Sequence, residues 1–121
     1  MVGELSRKLK SMRWSDGHFD DKICNYREFC ISDLTAYPVL NGVIQTRIAA
    51  LMEGRKLLPI HILELRKDGY IKPHIDNHNY SGKIIAGLSL KQDSLLTLSD
   101  PKNPSNSCSI LLPRRSFYRQ M

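Results

Sequence analysis

Six short apolar or alternating runs, each bounded by turn-forming residues, occupy the second half of the chain and constrain its fold more than any other feature. The runs predict strands at 57–65, 70–76, 83–90, 94–98, 107–112 and 116–120. Lys67, Asp68 and Gly69 predict a tight turn between the first two strands, and residues 100–104 predict the one long loop. Strands this short and this closely spaced indicate an antiparallel sandwich or barrel.

The first half of the chain is predicted to be helical. A basic amphipathic helix at the N-terminus is indicated by apolar residues that share one face, namely Val2, Leu5, Leu9 and Met12. Pro38 is suited to begin a second helix, which we predict over 38–53 with Gly54 as its stop. The apolar residues at helical spacing along it are Leu40, Val43, Ile44, Ile48 and Leu51. Because 121 residues suffice for one core, we expect a single domain with a helical part over 1–56 and a β part over 57–121.

Composition excludes several classes of protein. Hydrophobic residues make up 41% of the chain and charged residues 25%, the balance of a folded globular protein and not of a disordered one. No stretch approaches the roughly 20 apolar residues of a membrane span, so we expect none. The three cysteines are an odd number without CxxC spacing, which argues against a disulfide framework and against a structural zinc site. We therefore expect the protein to reside in a reducing compartment. The net charge of +6 is diffuse and indicates a solubilising surface more than a nucleic-acid interface.

One His-x-Asp pair is the main candidate for chemistry. His74 and Asp76 are alternate residues at the end of a predicted strand, so their side chains would share one face. An imidazole and a carboxylate side by side are half of the two-histidine, one-carboxylate arrangement that binds non-haem Fe(II). The same pattern occurs at His18 and Asp20, but in an aromatic, acidic segment that we predict to be a loop without neighbouring strands.

Two further histidines are candidate ligands. His78 continues the His-x-Asp pattern along the same strand, where three ligands in a row could not surround one ion. We therefore interpret His78 as a surface residue or as one that supports a ligand. His61, in the first predicted strand, has no partner in the sequence pattern.

The stretch from His61 to Leu90 resembles the AlkB-like Fe(II)- and 2-oxoglutarate-dependent dioxygenases, and within them a mitochondrial branch that does not repair nucleic acids. The motifs that carry the resemblance are GYIKPHID at 69–76 and IAGLSL at 85–90, and the segment WSDGHFDDKICNYRE at 14–28 is similar to the stretch before that branch's helix. The likeness covers nearly all of the chain.

The resemblance implies a fold, a site and a setting. The fold would be mainly β with flanking helices, a double-stranded β-helix or jelly roll with about six of its eight core strands present. His74 and Asp76 would be two ligands of Fe(II), and Tyr118 would lie near the cosubstrate 2-oxoglutarate. The implied activity is oxidative demethylation or hydroxylation of a protein or RNA substrate in the mitochondrial matrix, with roles in fatty-acid metabolism and programmed necrosis.

Several departures accompany these matches. The family's third ligand, a histidine, follows the position of Tyr118, and the arginines that hold the 2-oxoglutarate carboxylate follow further on, so we expect the chain to be C-terminally incomplete. Arginines at 114, 115 and 119 precede or adjoin the tyrosine strand and are not equivalent to those arginines. Leu63 and Leu65 stand where nucleic-acid-repairing members have an Asn-x-Tyr pair, which favours the other branch.

These departures leave other interpretations open. The chain could be a catalytically inactive fragment or pseudoenzyme that acts as an interaction module, because two ligands hold iron weakly and no arginine anchors the cosubstrate. A basic RNA-binding module is supported only by the net charge, since no clustered basic and aromatic surface is evident. Without the family's last two strands, unpaired strand edges would favour self-association.

Overall fold

The computed structural model describes residues 1–17, 22–54, 59–75 and 84–120, which form two compact units, Met1–His74 and Ile75–Met121. Strands make up 44% of the described residues and helices 26%, so the chain is mainly β, as predicted. The helices are α1 (Val2–Lys10) and α2 (Pro38–Val43), with a 3-10 turn at Leu34–Ala36. The strands are β1 (Ser15–Gly17), β2 (Ile23–Ile31), β3 (Ile60–Ile71), β4 (Ile85–Ser89), β5 (Ser94–Ser99), β6 (Ser107–Leu112) and β7 (Ser116–Gln120).

The first unit contains an antiparallel sheet in the order β1-β2-β3. The sequence pattern predicts neither β1 nor β2. The HFD segment at 18–20, which we predict to be a loop, lies outside the described residues. The polar residues of β2 interrupt the alternation of apolar and polar residues that would identify a strand in the sequence. In the structure, these polar residues have partners across the ladder. Arg27 lies opposite Glu64, and its Nε donates a hydrogen bond of 2.8 Å to Oε2 of that carboxylate.

The predicted turn at residues 67–69 is wrong. Cys24 pairs with Tyr70 and Tyr26 pairs with Leu65, so the residues between Leu65 and Tyr70 form a bulge opposite Asn25. A Cβ at Gly69 would collide with the carbonyl oxygen of Asn25, and the ladder can close there only because glycine lacks one. The two strands predicted at 57–65 and 70–76 are therefore a single strand, β3.

The second helix is continuous over 38–52, close to the predicted bounds, but it changes type along its length. After α2 come a π-helical turn at Ile44–Ile48 and a 3-10 turn at Ala49–Met52, and Glu53 then takes the left-handed conformation with φ of 56°. The buried residues recur every four positions, at Leu40, Ile44, Ile48 and Met52. Leu51, one of the apolar residues at helical spacing, is 44% exposed. In the wide π turn each residue adds a smaller rotation about the helix axis than in an α-helix, so residues four apart stay on one side.

The start of α2 is capped from a distant part of the chain. Tyr37, the residue before it, makes no side-chain capping bond. Instead the carboxylate of Glu4, in α1, accepts hydrogen bonds from the backbone N–H groups of Val39 at 3.1 Å and Leu40 at 3.2 Å. A negative charge at a helix N-terminus is stabilising, and here it also ties the two helices together.

A second cap starts the short helical turn at Leu34–Ala36. The carboxylate of Asp33 accepts a hydrogen bond of 3.0 Å from the backbone N–H of Thr35. This bond, together with one from the Thr35 side chain, lowers the pKa of Asp33 below its ordinary value. Because the folded-state pKa is the lower one, the contribution to stability is complete above the unfolded pKa and is lost as the pH falls through the folded pKa.

None of the helices in the described part of the chain has the length and apolar character needed to cross a membrane.

The second unit consists of two nested antiparallel ladders. The inner ladder joins β5 to β6 around the predicted long loop, and the outer ladder joins β4 to β7. The connections at 90–93 and 113–115 lie side by side: Arg115 donates its N–H to the carbonyl of Ser89 at 2.6 Å, and Arg114 donates its N–H to Oδ1 of Asp93 at 2.8 Å. The strands predicted at 107–112 and 116–120 have the predicted bounds.

We expect Glu4→Ala to release the start of α2. The Val39 and Leu40 amides lose their acceptor, at a cost of about 1 kcal/mol, so their hydrogen–deuterium exchange should accelerate several-fold. Lys8→Ala is the matched control, since it removes an exposed charged side chain from the same helix. Equal acceleration in both variants would contradict the cap.

Candidate functional site

His74 lies just beyond β3 and is exposed to solvent. The predicted strand 70–76 ends earlier, at Ile71, because Pro73 has no N–H to donate to a ladder. The Nδ1 atom of His74 lies 2.8 Å from the carbonyl oxygen of Lys72. A carbonyl oxygen can only accept, so Nδ1 carries a proton, and in the neutral form of the ring the lone pair is then on Nε2.

This tautomer suits a metal ligand. Histidines that bind metals commonly donate their other ring N–H to a backbone carbonyl or a carboxylate, which fixes the orientation of the ring. His74 therefore fits one position of the iron site that the resemblance implies. Asp76, the second predicted ligand, lies outside the described residues, as do His78 and the alternative pair at His18 and Asp20.

No group of three or more histidine, cysteine, aspartate or glutamate side chains that could hold a metal ion occurs within the described ranges. The described residues thus provide one imidazole for the implied site.

Tyr118 lies in β7, directly opposite Gly87 of β4. The end of its ring covers that glycine so closely that a methyl group placed at Gly87 would lie 2.6 Å from Cε1, Cζ and Oη. The ring is half-buried, and the missing side chain at position 87 provides the space for it. The glycine of the IAGLSL motif therefore sets where the Tyr118 hydroxyl can lie.

The arginines and leucines singled out in the sequence lie in β3, in β7 and in the turn before β7. Arg114 and Arg115 lie in the turn between β6 and β7, and Arg119 lies next to Tyr118 in the strand, so its side chain is on the opposite face. Leu63 and Leu65 occupy one face of β3, across from Glu28 and Tyr26. His74 belongs to the first unit and Tyr118 to the second.

Two side-chain groups were not predicted. The guanidinium of Arg27 lies 4.1 Å from the ring centre of Trp14, and that of Arg66 lies 5.7 Å from it, which are cation–π distances. Arg27 also forms an ion pair with Glu64. The side chains of Arg27 and Glu64 are largely buried, with 13% and 14% of their surface exposed. The group thus holds the sheet together, and only knowledge of the β2–β3 register could have revealed it.

The second group is formed by Cys30 and His61. These residues are direct partners across β2 and β3, and Sγ lies 3.5 Å from Nδ1 and 3.8 Å from Nε2 of the imidazole. His61, which has no partner in the sequence pattern, therefore has one in the structure. All three cysteines, at positions 24, 30 and 108, are free thiols, as their odd number and spacing predict.

Comparison with known proteins places these features in a family. No family model matches the chain. In an alignment 121 residues long that covers 98% of the chain, it is 34% identical to a Mus musculus protein named alpha-ketoglutarate-dependent dioxygenase alkB homolog 7, mitochondrial. It is also 34% identical, over 118 residues and 95% of its length, to the Bos taurus protein of the same name.

The chain spans about half the length of these curated relatives, 53% of the first and 52% of the second. Both are named mitochondrial, which confirms the mitochondrial localisation that the resemblance predicts. Together with the GYIKPHID and IAGLSL motifs, this similarity confirms the resemblance of the chain to the AlkB-like dioxygenases.

Proposed function

We propose that the chain forms the iron-binding part of a mitochondrial Fe(II)- and 2-oxoglutarate-dependent dioxygenase of the AlkB homolog 7 type. The observation that carries the proposal is the imidazole of His74, held by the Lys72 carbonyl in the tautomer that a metal ligand needs. This histidine is also the first ligand position of the GYIKPHID motif.

The proposed roles of the residues follow from their chemistry. His74 and Asp76 provide an imidazole nitrogen and a carboxylate oxygen to Fe(II), and Tyr118 provides a phenol hydroxyl that can donate a hydrogen bond to a carboxylate of 2-oxoglutarate. When bound, the metal and its cosubstrate supply the oxidising chemistry, in which oxidation of the substrate by O2 is coupled to decarboxylation of 2-oxoglutarate.

The finer parts of the proposal rest on the similarity to AlkB homolog 7. They are a jelly-roll fold, an oxidative demethylase or hydroxylase reaction on a protein or RNA substrate, and roles in fatty-acid metabolism and programmed necrosis. The nested β4–β7 and β5–β6 ladders support the jelly roll, because such a fold is made by winding paired strands into two sheets.

Self-association through strand edges is a further part of the proposal. Among the described strands, β3 is hydrogen-bonded on one side only, to β2. An open edge can pair with another chain. An elution volume that falls with rising concentration in size-exclusion chromatography would support this, whereas a constant monomer would contradict it.

The experiment for the metal site is an anaerobic titration with Co(II), a spectroscopic substitute for Fe(II). Because His74 and Asp76 are the two family ligands in this chain, we expect weak binding that His74→Ala or Asp76→Ala reduces by at least about tenfold. His18→Ala and Asp20→Ala are the matched controls, since they alter the other His-x-Asp pair, and binding should be unchanged in both.

Three other outcomes of this titration each change the conclusion. Equal loss in the two pairs of variants would place the metal elsewhere. Tight, stoichiometric binding would require a third ligand within the chain, with His78 and His61 tested first. The absence of binding in every variant would favour the interaction module, and 2-oxoglutarate turnover by a chain extended with the relatives' C-terminal segment would then decide between the two functions.

We expect Gly87→Ala to move the Tyr118 hydroxyl while the β4–β7 ladder remains. The added methyl group would overlap the far end of the ring, which can swing away by rotation about its side-chain bonds. In the chain extended with the relatives' C-terminal segment, the affinity for 2-oxoglutarate should therefore fall as far as it does in Tyr118→Phe. The part of the tyrosine absorbance that is lost in Tyr118→Phe should shift toward that of an exposed phenol.

A double variant tests whether the glycine acts through the tyrosine. Since both changes remove the same hydroxyl from its place, Gly87→Ala combined with Tyr118→Phe should bind 2-oxoglutarate no more weakly than Tyr118→Phe alone. Additive losses would show that Gly87 acts independently of the ring. Gly42→Ala serves as the control for glycine replacement, because a Cβ at position 42 has no atom within 4 Å.

A further inference from the structure

We propose that Cys30 and His61 form a thiol–imidazole pair that makes Cys30 a site of covalent modification by disulfides and other soft electrophiles. The two residues face each other in the β2–β3 ladder, with Sγ 3.5 Å from Nδ1 and 3.8 Å from Nε2. Both side chains are exposed, so a reagent can reach the sulfur. This site is separate from the residues assigned to iron and 2-oxoglutarate.

The chemistry needs a base next to the thiol. The thiolate is the nucleophilic form of cysteine, and an adjacent imidazole that accepts the thiol proton generates it. The ladder holds the sulfur 3.5 Å from Nδ1 and 3.8 Å from Nε2, so the neutral imidazole has an unprotonated nitrogen near the thiol in either tautomer. The pairing of β2 with β3 therefore places the base next to the thiol.

With glutathione disulfide as the reagent, every atom in the reaction is accounted for. The Cys30 thiol gives its proton to His61, and the thiolate attacks one sulfur of the disulfide. The disulfide bond breaks as the new sulfur–sulfur bond forms, and the leaving glutathione thiolate takes the proton back from the imidazolium. The products are a mixed disulfide at Cys30 and one glutathione thiol.

The chain contains its own comparison sites. Cys108, in β6, is exposed like Cys30, but its ladder partner is Leu98, which cannot accept a proton. Cys24, in β2, is less exposed than either. The geometry therefore predicts that Cys30 reacts fastest, Cys108 more slowly and Cys24 slowest.

The test is alkylation of the whole chain by iodoacetamide at neutral pH, with the rate at each cysteine measured by mass spectrometry. We expect Cys30 to react about tenfold faster than Cys108, since general-base assistance is worth at least that factor. His61→Ala should bring the Cys30 rate to within about twofold of the Cys108 rate, because its base is gone. Glutathione disulfide should label Cys30 first, and dithiothreitol should remove the label.

Two controls keep the outcome clear. Leu98→His places an imidazole opposite Cys108, in the position that His61 has opposite Cys30, and should accelerate Cys108 while Cys30 is unchanged. Faster labelling of Cys24 in His61→Ala would reveal unfolding. In that case His61→Gln, which keeps a polar side chain but provides no base, should show the same fall in the Cys30 rate in a folded chain. Equal rates at Cys30 and Cys108 in the parent chain, or a Cys30 rate that survives both His61 changes, would overturn the proposal.

Discussion

The antiparallel ladder between β2 and β3 is the constraint on which the first unit depends. Its register places Arg27 opposite Glu64 in a largely buried ion pair, and Trp14 lies against the same guanidinium. The largely buried guanidinium of Arg27 is stabilised by the carboxylate of Glu64 and by the ring of Trp14. Without such partners, burying its charge would destabilise the fold. The same register brings Cys30 to His61 and carries β3 to its end just before His74, so both the proposed metal ligand and the proposed reactive thiol depend on it.

The two residues that matter most for the proposed dioxygenase are positioned by main-chain contacts. The ring of His74 is held by a carbonyl two residues earlier, and the ring of Tyr118 lies against a glycine on the neighbouring strand. Each of the two units thus contributes one of the proposed functional side chains.

The parts of this architecture that could be predicted are those set by local sequence. The bounds of β6 and β7, the helix after Pro38 and the candidate His74 all follow from turn residues, spacing and motif. The parts that could not be predicted depend on pairing. Asn25 and Gly69 look like a loop residue and a turn residue until the bulge brings them together, and Cys30 and His61 have no visible relation without the register. The π turn, which buries Met52 in place of Leu51, leaves no local signal.

The nested ladders of the second unit also imply an order of assembly. Joining Ser89 to Ser116 directly would require closing a long loop, whereas β5 and β6 are separated only by the tightly bonded turn at 100–106. Once that hairpin has formed, the connections at 90–93 and 113–115 already lie close together, and the entropy lost on closing the outer ladder becomes small. We therefore expect β4 and β7 to pair last, beginning at Ser89 and Ser116. The contact between Gly87 and Tyr118 would then form only after the hairpin has folded. The difference in stopped-flow absorbance between the parent chain and Tyr118→Phe would then report that final step, and a difference that develops together with hairpin formation would contradict it.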